Sequence, residues 1–366
     1  MSIYDICKPV RFVINCYCFY TILFSYESKA LEAVAMISHI DQKRVLFVTT
    51  KNLDYIRNVQ EINLIKKHAS SCRILGSSSR HYPIRLLNVF LLLLKTPAID
   101  FDTVFVGHAS QSVVPFFYRK FRKNFVITDF FVSLYDTFCN DRKKIRANSA
   151  AGRLLHWIDE ATISHADLIV CDTRAHGEYF VREFSASPSR LYPLYLEADF
   201  SLYHPVAVQR PACLRDKFIV LYFGSVLPLQ GVDIVLKAMS RLKENKDFFF
   251  YFIGPVKGRN LQDLCPLADN IEYIRWLSQE QLAEYIARAD LCLAGHFNAE
   301  IEKASRTIPG KAYIYHAMQK PMILGDNPAN HELFAPDCDT LFVKMGSAEA
   351  LAEAILDFYR LHRKRL

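Results

Sequence analysis

The chain has 366 residues, 51% of them hydrophobic, and a formal net charge of +7. That length exceeds what one hydrophobic core usually serves, so two domains are expected. The basic residues fall in short clusters rather than one long tract, which argues against a nucleic-acid binder and favours phosphorylated small molecules or an anionic membrane surface as partners.

The apolar stretch 10–24 is interrupted by Asn15 and has no small-residue cleavage site, so it reads as a first core strand over 11–16 and the loop after it. Residues 86–94 are also apolar but end at Lys95, too soon to span a bilayer. Further strands are expected at 44–49, 103–106, 125–129 and 168–171, and then at 218–223, 248–253, 271–274, 291–293 and 321–324. Alternation of short β-branched and aromatic runs with helical patterns is the sequence form of a parallel sheet. Two such sets predict an α/β protein of two doubly wound Rossmann-like domains facing a central cleft, over residues 1–200 and 201–346. The segment 191–200 and the aperiodic stretch to Pro211 read as the hinge. Residues 347–366 open at Ser347, carry Leu351, Ile355, Phe358 and Leu361 on one face, and predict an amphipathic helix with a basic end over 360–365. This helix is a candidate to pack back on the N-terminal domain. The ten cysteines lack Cys-x-x-Cys spacing; Cys16, Cys171 and Cys292 lie in apolar runs, so buried thiols in a reducing cytosol and no metal are expected.

A doubly wound sheet binds ligands beyond the carboxyl ends of its strands, so the loops there are the candidate sites. In the first half, His108 and Asp129 follow two such strands and could position an acceptor hydroxyl or a sugar, although aspartates at these places also cap helices. Residues 116–123 interleave aromatic and basic side chains. They read either as a helix with solvated cations or as an interfacial patch touching anionic lipid.

In the second half, Gly224, Ser225, Gln230 and Gly231 belong to a strand-to-helix loop whose glycines permit a tight turn and close approach to a ligand. The segment Lys303, Ala304, Ser305, Arg306, Thr307, Ile308, Pro309, Gly310, Lys311 reads as a helix start, with Thr307 as cap and Pro309 as first helical residue. Three cations around unpaired N–H groups suit a diphosphate, although a solvated basic loop fits the same residues. After the last predicted strand, Asp326 and Asn327 precede Pro328, with Asn327 as cap. Glu332 could accept hydrogen bonds from ribose hydroxyls or act as a first-turn carboxylate.

Several of these segments, in order, resemble glycosyltransferase family 4 of GT-B architecture. The loop 224–231 followed by Val232-Asp233 and Leu236-Lys237-Ala238 looks like the family's glycine loop and its helix. Ala289-Asp290-Leu291-Cys292-Leu293 and Ala317-Met318-Gln319-Lys320-Pro321-Met322-Ile323 look like the strand before the donor loop and the turn before the ribose loop. Lys303, Ala304, Arg306, Ile308, Pro309 and Lys311 match a Lys-Ala-x-Arg-x-Ile-Pro-x-Lys run typical of a subgroup with a Pro-Leu-x-Gly donor loop. Ala166-Asp167-Leu168-Ile169-Val170-Cys171-Asp172-Thr173 is similar in the first half.

The resemblance implies a retaining, metal-independent hexosyltransferase that moves a sugar from a UDP- or GDP-sugar to a glycan or lipid-linked acceptor, in surface polysaccharide or glycoconjugate biosynthesis. It implies no cofactor beyond this co-substrate, a cytoplasmic location with contact to the inner face of the membrane, and chemistry carried by His108, Asp129, Arg306 and Lys311. Two departures stand out: the family's two glutamates eight residues apart fall on Arg306 and Ile314, and its basic pair in the glycine loop falls on Ser225 and Gln230. The cations of 303–311 then have to grip the diphosphate. The alternatives are a non-catalytic sugar-nucleotide or glycan-binding subunit, or a sugar-nucleotide epimerase of the same architecture.

Overall fold

A computed structural model describes residues 36–255, 265 and 268–363. The expected strand at 11–16, with Cys16, and the basic residues beyond 363 lie outside them. The chain divides into two compact units, the second beginning at Glu197.

In the first unit the strands are β1 (Arg44–Val48), β2 (Ser71–Leu75), β3 (Thr103–Val106), β4 (Phe125–Asp129), β5 (Leu168–Cys171) and β6 (Leu191–Pro193). The helices are α1 (Ile56–His68), α2 (Tyr82–Lys95), α3 (Val114–Phe121), α4 (Ala150–Ser164) and α5 (Arg174–Phe184). All strand pairs are parallel, in the order β2-β1-β3-β4-β5-β6. Strands covered on both faces must be apolar at successive positions, and Thr103–Val106 and Leu168–Cys171 are buried throughout. Val89 and Leu93 of α2 and Phe117 and Phe121 of α3 pack on one face, while Ile62 and Ile65 of α1 pack on the other.

The second unit contains β7 (Phe218–Phe223), α6 (Val232–Leu242), β8 (Phe248–Ile253), β9 (Ile271–Ile274), α7 (Gln279–Arg288), β10 (Leu291–Gly295), α8 (Lys303–Arg306), α9 (Gly310–Ala317), β11 (Met322–Gly325), α10 (Pro328–His331), β12 (Thr340–Val343) and α11 (Ala348–Arg363). Its strands are parallel in the order β12-β11-β10-β7-β8-β9. Two six-stranded parallel sheets with helices make this a GT-B fold of two Rossmann-like domains.

Three edge strands depart from the expectation. β2, β6 and β12 pair on one side only and are partly exposed, so they lack the unbroken apolar run by which the inner strands were legible. β6 falls where a hinge was expected. It continues the first sheet, and its extension is tied down by Gln60 Nε2, which donates to the Tyr195 carbonyl at 2.7 Å. The boundary therefore falls at Glu197, four residues before the expected one at 201.

Ser347 caps α11 by accepting from Ala350 N at 3.1 Å, as its position suggested. Leu351, Ile355 and Phe358 are buried within the second unit's own core. Phe358 is 5% exposed and its ring lies 6.2 Å from that of Phe218. Phe358→Ala should destabilise the second unit by about 3–5 kcal/mol, the cost of emptying a packed aromatic site. Urea unfolding followed by a probe in that unit measures it, and a loss below about 1 kcal/mol would contradict this packing.

Candidate functional site

Strand order reverses between β7 and β10, and between β1 and β3. At such switch points the flanking loops diverge and leave room for a ligand beyond the carboxyl ends of the strands.

In the second unit the β7/β10 switch is lined by glycines. Gly224 leaves β7 at φ +151, and its N–H donates to the Ile253 carbonyl at 2.9 Å. Gly231 caps α6 at φ +65, where a Cβ would lie 2.7 Å from Asn298 N and 2.8 Å from the Phe297 carbonyl carbon. That combination requires glycine. The loop is clamped to the chain after β10: Asn298 Nδ2 donates to the Pro228 carbonyl at 2.9 Å and Phe297 N to the Gln230 carbonyl at 3.3 Å. Ser225 is exposed, whereas Gln230 is partly buried.

The 303–311 segment differs from the expected helix start. Lys303–Arg306 form a helical turn of their own, and Thr307 Oγ1 donates to the Lys303 carbonyl at 3.0 Å, so Thr307 closes α8 instead of capping α9. Pro309 takes the cap position with φ −65 and ψ 130, and α9 begins at Gly310 without a side-chain cap. Gly310 is exposed, whereas Ile308 and Pro309 are buried. The three cations do not form a solvated ring. Lys303 is partly exposed, Arg306 is 4% exposed with Nε 3.5 Å from the Glu302 carbonyl, and Lys311 is 5% exposed.

Lys311 Nζ donates to Gln230 Oε1 at 2.7 Å and sits 3.9 Å from the centre of the Tyr222 ring. Neither partner carries a full negative charge, and burial holds the amine well below its usual pKa. The same Nζ is 3.2 Å from a Cβ built on Gly224 and 3.9 Å from one built on Gly295. A side chain at Gly224 would therefore crowd this nitrogen. The loop's expected cation is therefore supplied from α9, with Gln230 as its bracket.

Beyond β11, Asn327 caps α10 as expected: its Oδ1 accepts from Asn330 N at 2.9 Å, and its Nδ2 donates to the Ala304 carbonyl at 3.4 Å, joining α10 to α8. Asp326 pairs with His331 at 2.7 Å on the surface. Glu332 follows the short helix at its carboxyl end, so it is not the first-turn carboxylate that was anticipated.

In the first unit, Asp129 is not an exposed acid. It is 1% exposed, and Arg57 Nη2 approaches its Oδ1 at 3.3 Å while Arg57 Nε approaches Glu61 Oε1 at 3.4 Å, with all three side chains buried. One cation faces two carboxylates, so burial and the Asp129 charge push Glu61 well above the usual carboxylate range. Gly107 permits this packing, since a Cβ there would lie 3.0 Å from Glu61 Oε2 and 2.6 Å from the Phe47 ring. His108, partly exposed, lies between the rings of Tyr55 (4.8 Å) and Phe131 (5.8 Å), and burial lowers its pKa to about 4. At neutral pH it is an uncharged imidazole, able to donate or accept a hydrogen bond.

Sequence reasoning missed Arg57, Glu61, the buried Asp172–His176 pair (2.5 Å) and His296, whose Nδ1 lies 3.4 Å from Thr307 Oγ1. Two signals were present. Both pairs have the i,i+4 spacing of a helix face, and a Gly-His dipeptide follows a strand in each unit, at Gly107-His108 and Gly295-His296. Among the described residues, no three His, Cys, Asp or Glu side chains converge as a metal would require.

Residues 217–360 match the family model described as glycosyl transferases group 1. A D-inositol 3-phosphate glycosyltransferase of a Nocardioides species is 23% identical over 164 residues, 38% of this chain and 36% of that protein. A second protein of that name, from Geodermatophilus obscurus, is also 23% identical, over 38% of this chain and 35% of its own length. The chain thus matches these curated relatives over about a third of their length. Among solved structures, HepE of Anabaena in complex with UDP superposes with a TM-score of 0.63 at 11% identity, covering 87% of this chain and 90% of that one. Sucrose-phosphate synthase of Thermosynechococcus elongatus gives 0.61 at 14% identity, with the same coverages.

Two outcomes follow from the first unit's charges. His108 should titrate near pH 4 by NMR. Because the unfolded imidazole takes its proton first, near pH 6.5, its contribution to stability falls as pH drops from about 6.5 to 4; a midpoint near 6.5 would contradict its burial. Arg57→Met should cost about 3–5 kcal/mol, because it leaves buried carboxylates without a cation. The loss should be greater at pH 8 than at pH 5, since the folded state then holds its carboxyl protons above the unfolded pKa values. Equal losses at both pH values, measured by urea unfolding, would refute this account.

Proposed function

We propose that the chain is a glycosyltransferase that takes a sugar from a UDP- or GDP-sugar and passes it to a glycan or lipid-linked glycan. It acts with retention and without a metal, in the cytoplasm, in surface polysaccharide or glycoconjugate assembly. The observation that carries this reading is Lys311: a buried amine with no counter-charge among the described residues, set beside two glycines at the switch point of the unit matching glycosyl transferases group 1. Burying an amine without an anion is costly, and a diphosphate lodged against Gly224 and Gly295 offsets that cost by restoring the ammonium and its ion pair. UDP in the similarly folded HepE supports the ligand class.

In the transfer, the bond from the anomeric carbon to the diphosphate oxygen breaks and a bond to the acceptor oxygen forms on the same face. The acceptor proton passes to the departing phosphate. Lys311 and Arg306, with the uncapped N–H groups at Gly310 and Lys311, stabilise the negative charge that gathers on the leaving group. Gly231 and Gln230 hold the loop around it; Lys303, Thr307, Asp326, Asn327 and Glu332 complete the donor side. In the first unit His108 is the group offered to an acceptor hydroxyl, with Asp129 acting through Arg57 as a positioning residue.

The missing glutamate pair, with Arg306 and Ile314 in its place, favours a second reading as a binding subunit without turnover. Release of nucleoside diphosphate only in the presence of acceptor supports the transferase; donor binding without release supports the subunit.

Arg306→Ala and Lys311→Met should each weaken nucleoside-diphosphate binding by about 1.5–3 kcal/mol, the value of a hydrogen bond to a charged group. Binding should also take up a proton, because an anion raises the depressed Lys311 pKa. Calorimetry in buffers of different ionisation heat reads that uptake, and Lys311→Met should abolish it. Proton-neutral binding by the unaltered chain would sink the assignment.

A further inference from the structure

The outer face of α2 has the composition of a core but lies in solvent. At 3.6 residues per turn, Val89 and Leu93 point to the sheet, and Leu87, Leu91 and Leu94 fall on the opposite side. These three leucines are 58%, 46% and 66% exposed. The stripe continues onto α3, where Phe116 is 60% exposed and its ring lies 6.2 Å from that of Phe90 on α2. Soluble surfaces carry isolated apolar residues, but a stripe spanning two neighbouring helices marks an interaction surface.

The charged side chains that these two helices carry beside the stripe are cations, while Asp100 lies on the short turn after α2. Lys95 ends α2; Arg119 and Lys120 lie on α3, and Arg122 and Lys123 directly follow it. Lys120 Nζ donates to the Leu94 carbonyl at 3.3 Å, which places cations at the edge of the leucines. Neither 82–95 nor 114–123 contains an Asp or Glu. Apolar side chains beside cations without carboxylates match the acyl boundary and head groups of an anionic bilayer. No helix among the described residues is long and apolar enough to cross a membrane.

We infer that the exposed face of α2 and α3 docks the first unit on an anionic lipid surface, with Leu87, Leu91, Leu94 and Phe116 entering the acyl boundary and Lys95, Arg119, Arg122 and Lys123 meeting the head groups. This deepens the lipid-linked acceptor of the proposed function, since docking brings the enzyme to the surface where such acceptors reside.

Sedimentation of the full chain with vesicles of phosphatidylglycerol and phosphatidylcholine, or of phosphatidylcholine alone, tests it. Binding to the anionic vesicles is expected, weakening as salt rises. Leu87→Ser with Leu91→Ser, and separately Arg119→Glu with Lys123→Glu, should each weaken it more than tenfold. These positions are exposed, so the urea-unfolding midpoint of the first unit and the His108 NMR titration near pH 4 should stay unchanged and certify that the unit is folded. Equal binding to neutral vesicles, no vesicle binding, or variants that bind as tightly as the unaltered chain would overturn the inference. So would a dimer that the leucine variant splits, which would show a second copy covering the face. Vesicle binding without sugar transfer would defeat the transferase reading while leaving the docking surface intact.

Discussion

A lysine amine buried without a counter-ion among the described residues is the constraint around which the glycine loop of the second unit is arranged. Lys311 reaches the glycine loop because α9 starts after Pro309 and turns its second residue inward, and Gln230 and Tyr222 then hold the nitrogen without neutralising it. The missing Cβ atoms of Gly224 and Gly295 leave this nitrogen uncrowded, and Gly231 accepts a backbone that another residue would strain. An amide oxygen and a π face offset only part of the desolvation, which is why burial holds the amine well below its usual pKa. Loop, helix start and strand ends therefore serve one chemical demand.

The first unit solves the opposite problem. There a single guanidinium, Arg57, is buried against Asp129 and Glu61, leaving an excess of carboxylate that protonation of Glu61 relieves. That network is internal, and it holds the β3 and β4 ends at which His108 is presented as a neutral ring. One unit thus buries an amine with a lowered pKa, and the other an imidazole with a lowered pKa.

The inner strands were legible because a strand covered on both faces must be apolar along its length, as β5 is throughout and β3 is after Thr103. The edge strands β2, β6 and β12 were not, because a half-exposed strand of three to five residues tolerates polar side chains and proline. Asn327 and Ser347 were readable as caps, since capping depends on the nearest three residues. Thr307 failed as a cap because its hydroxyl bonds the preceding turn instead.

The sequence by itself determined the two-sheet α/β architecture and the loops on which the candidate site would sit, because strand burial, glycine turns and helix caps are local properties written into adjacent residues. Only the tertiary structure decided what the charged residues there do. Lys311 meets Gln230 across 81 residues and Arg57 meets Asp129 across 72. Whether a cation is solvated, paired or left without a counter-charge depends on such long-range neighbours and on burial, which no local pattern encodes. The same holds for α2: its leucines read in sequence only as an apolar run too short to span a bilayer, and the packing showed which of its residues face the sheet and which are exposed.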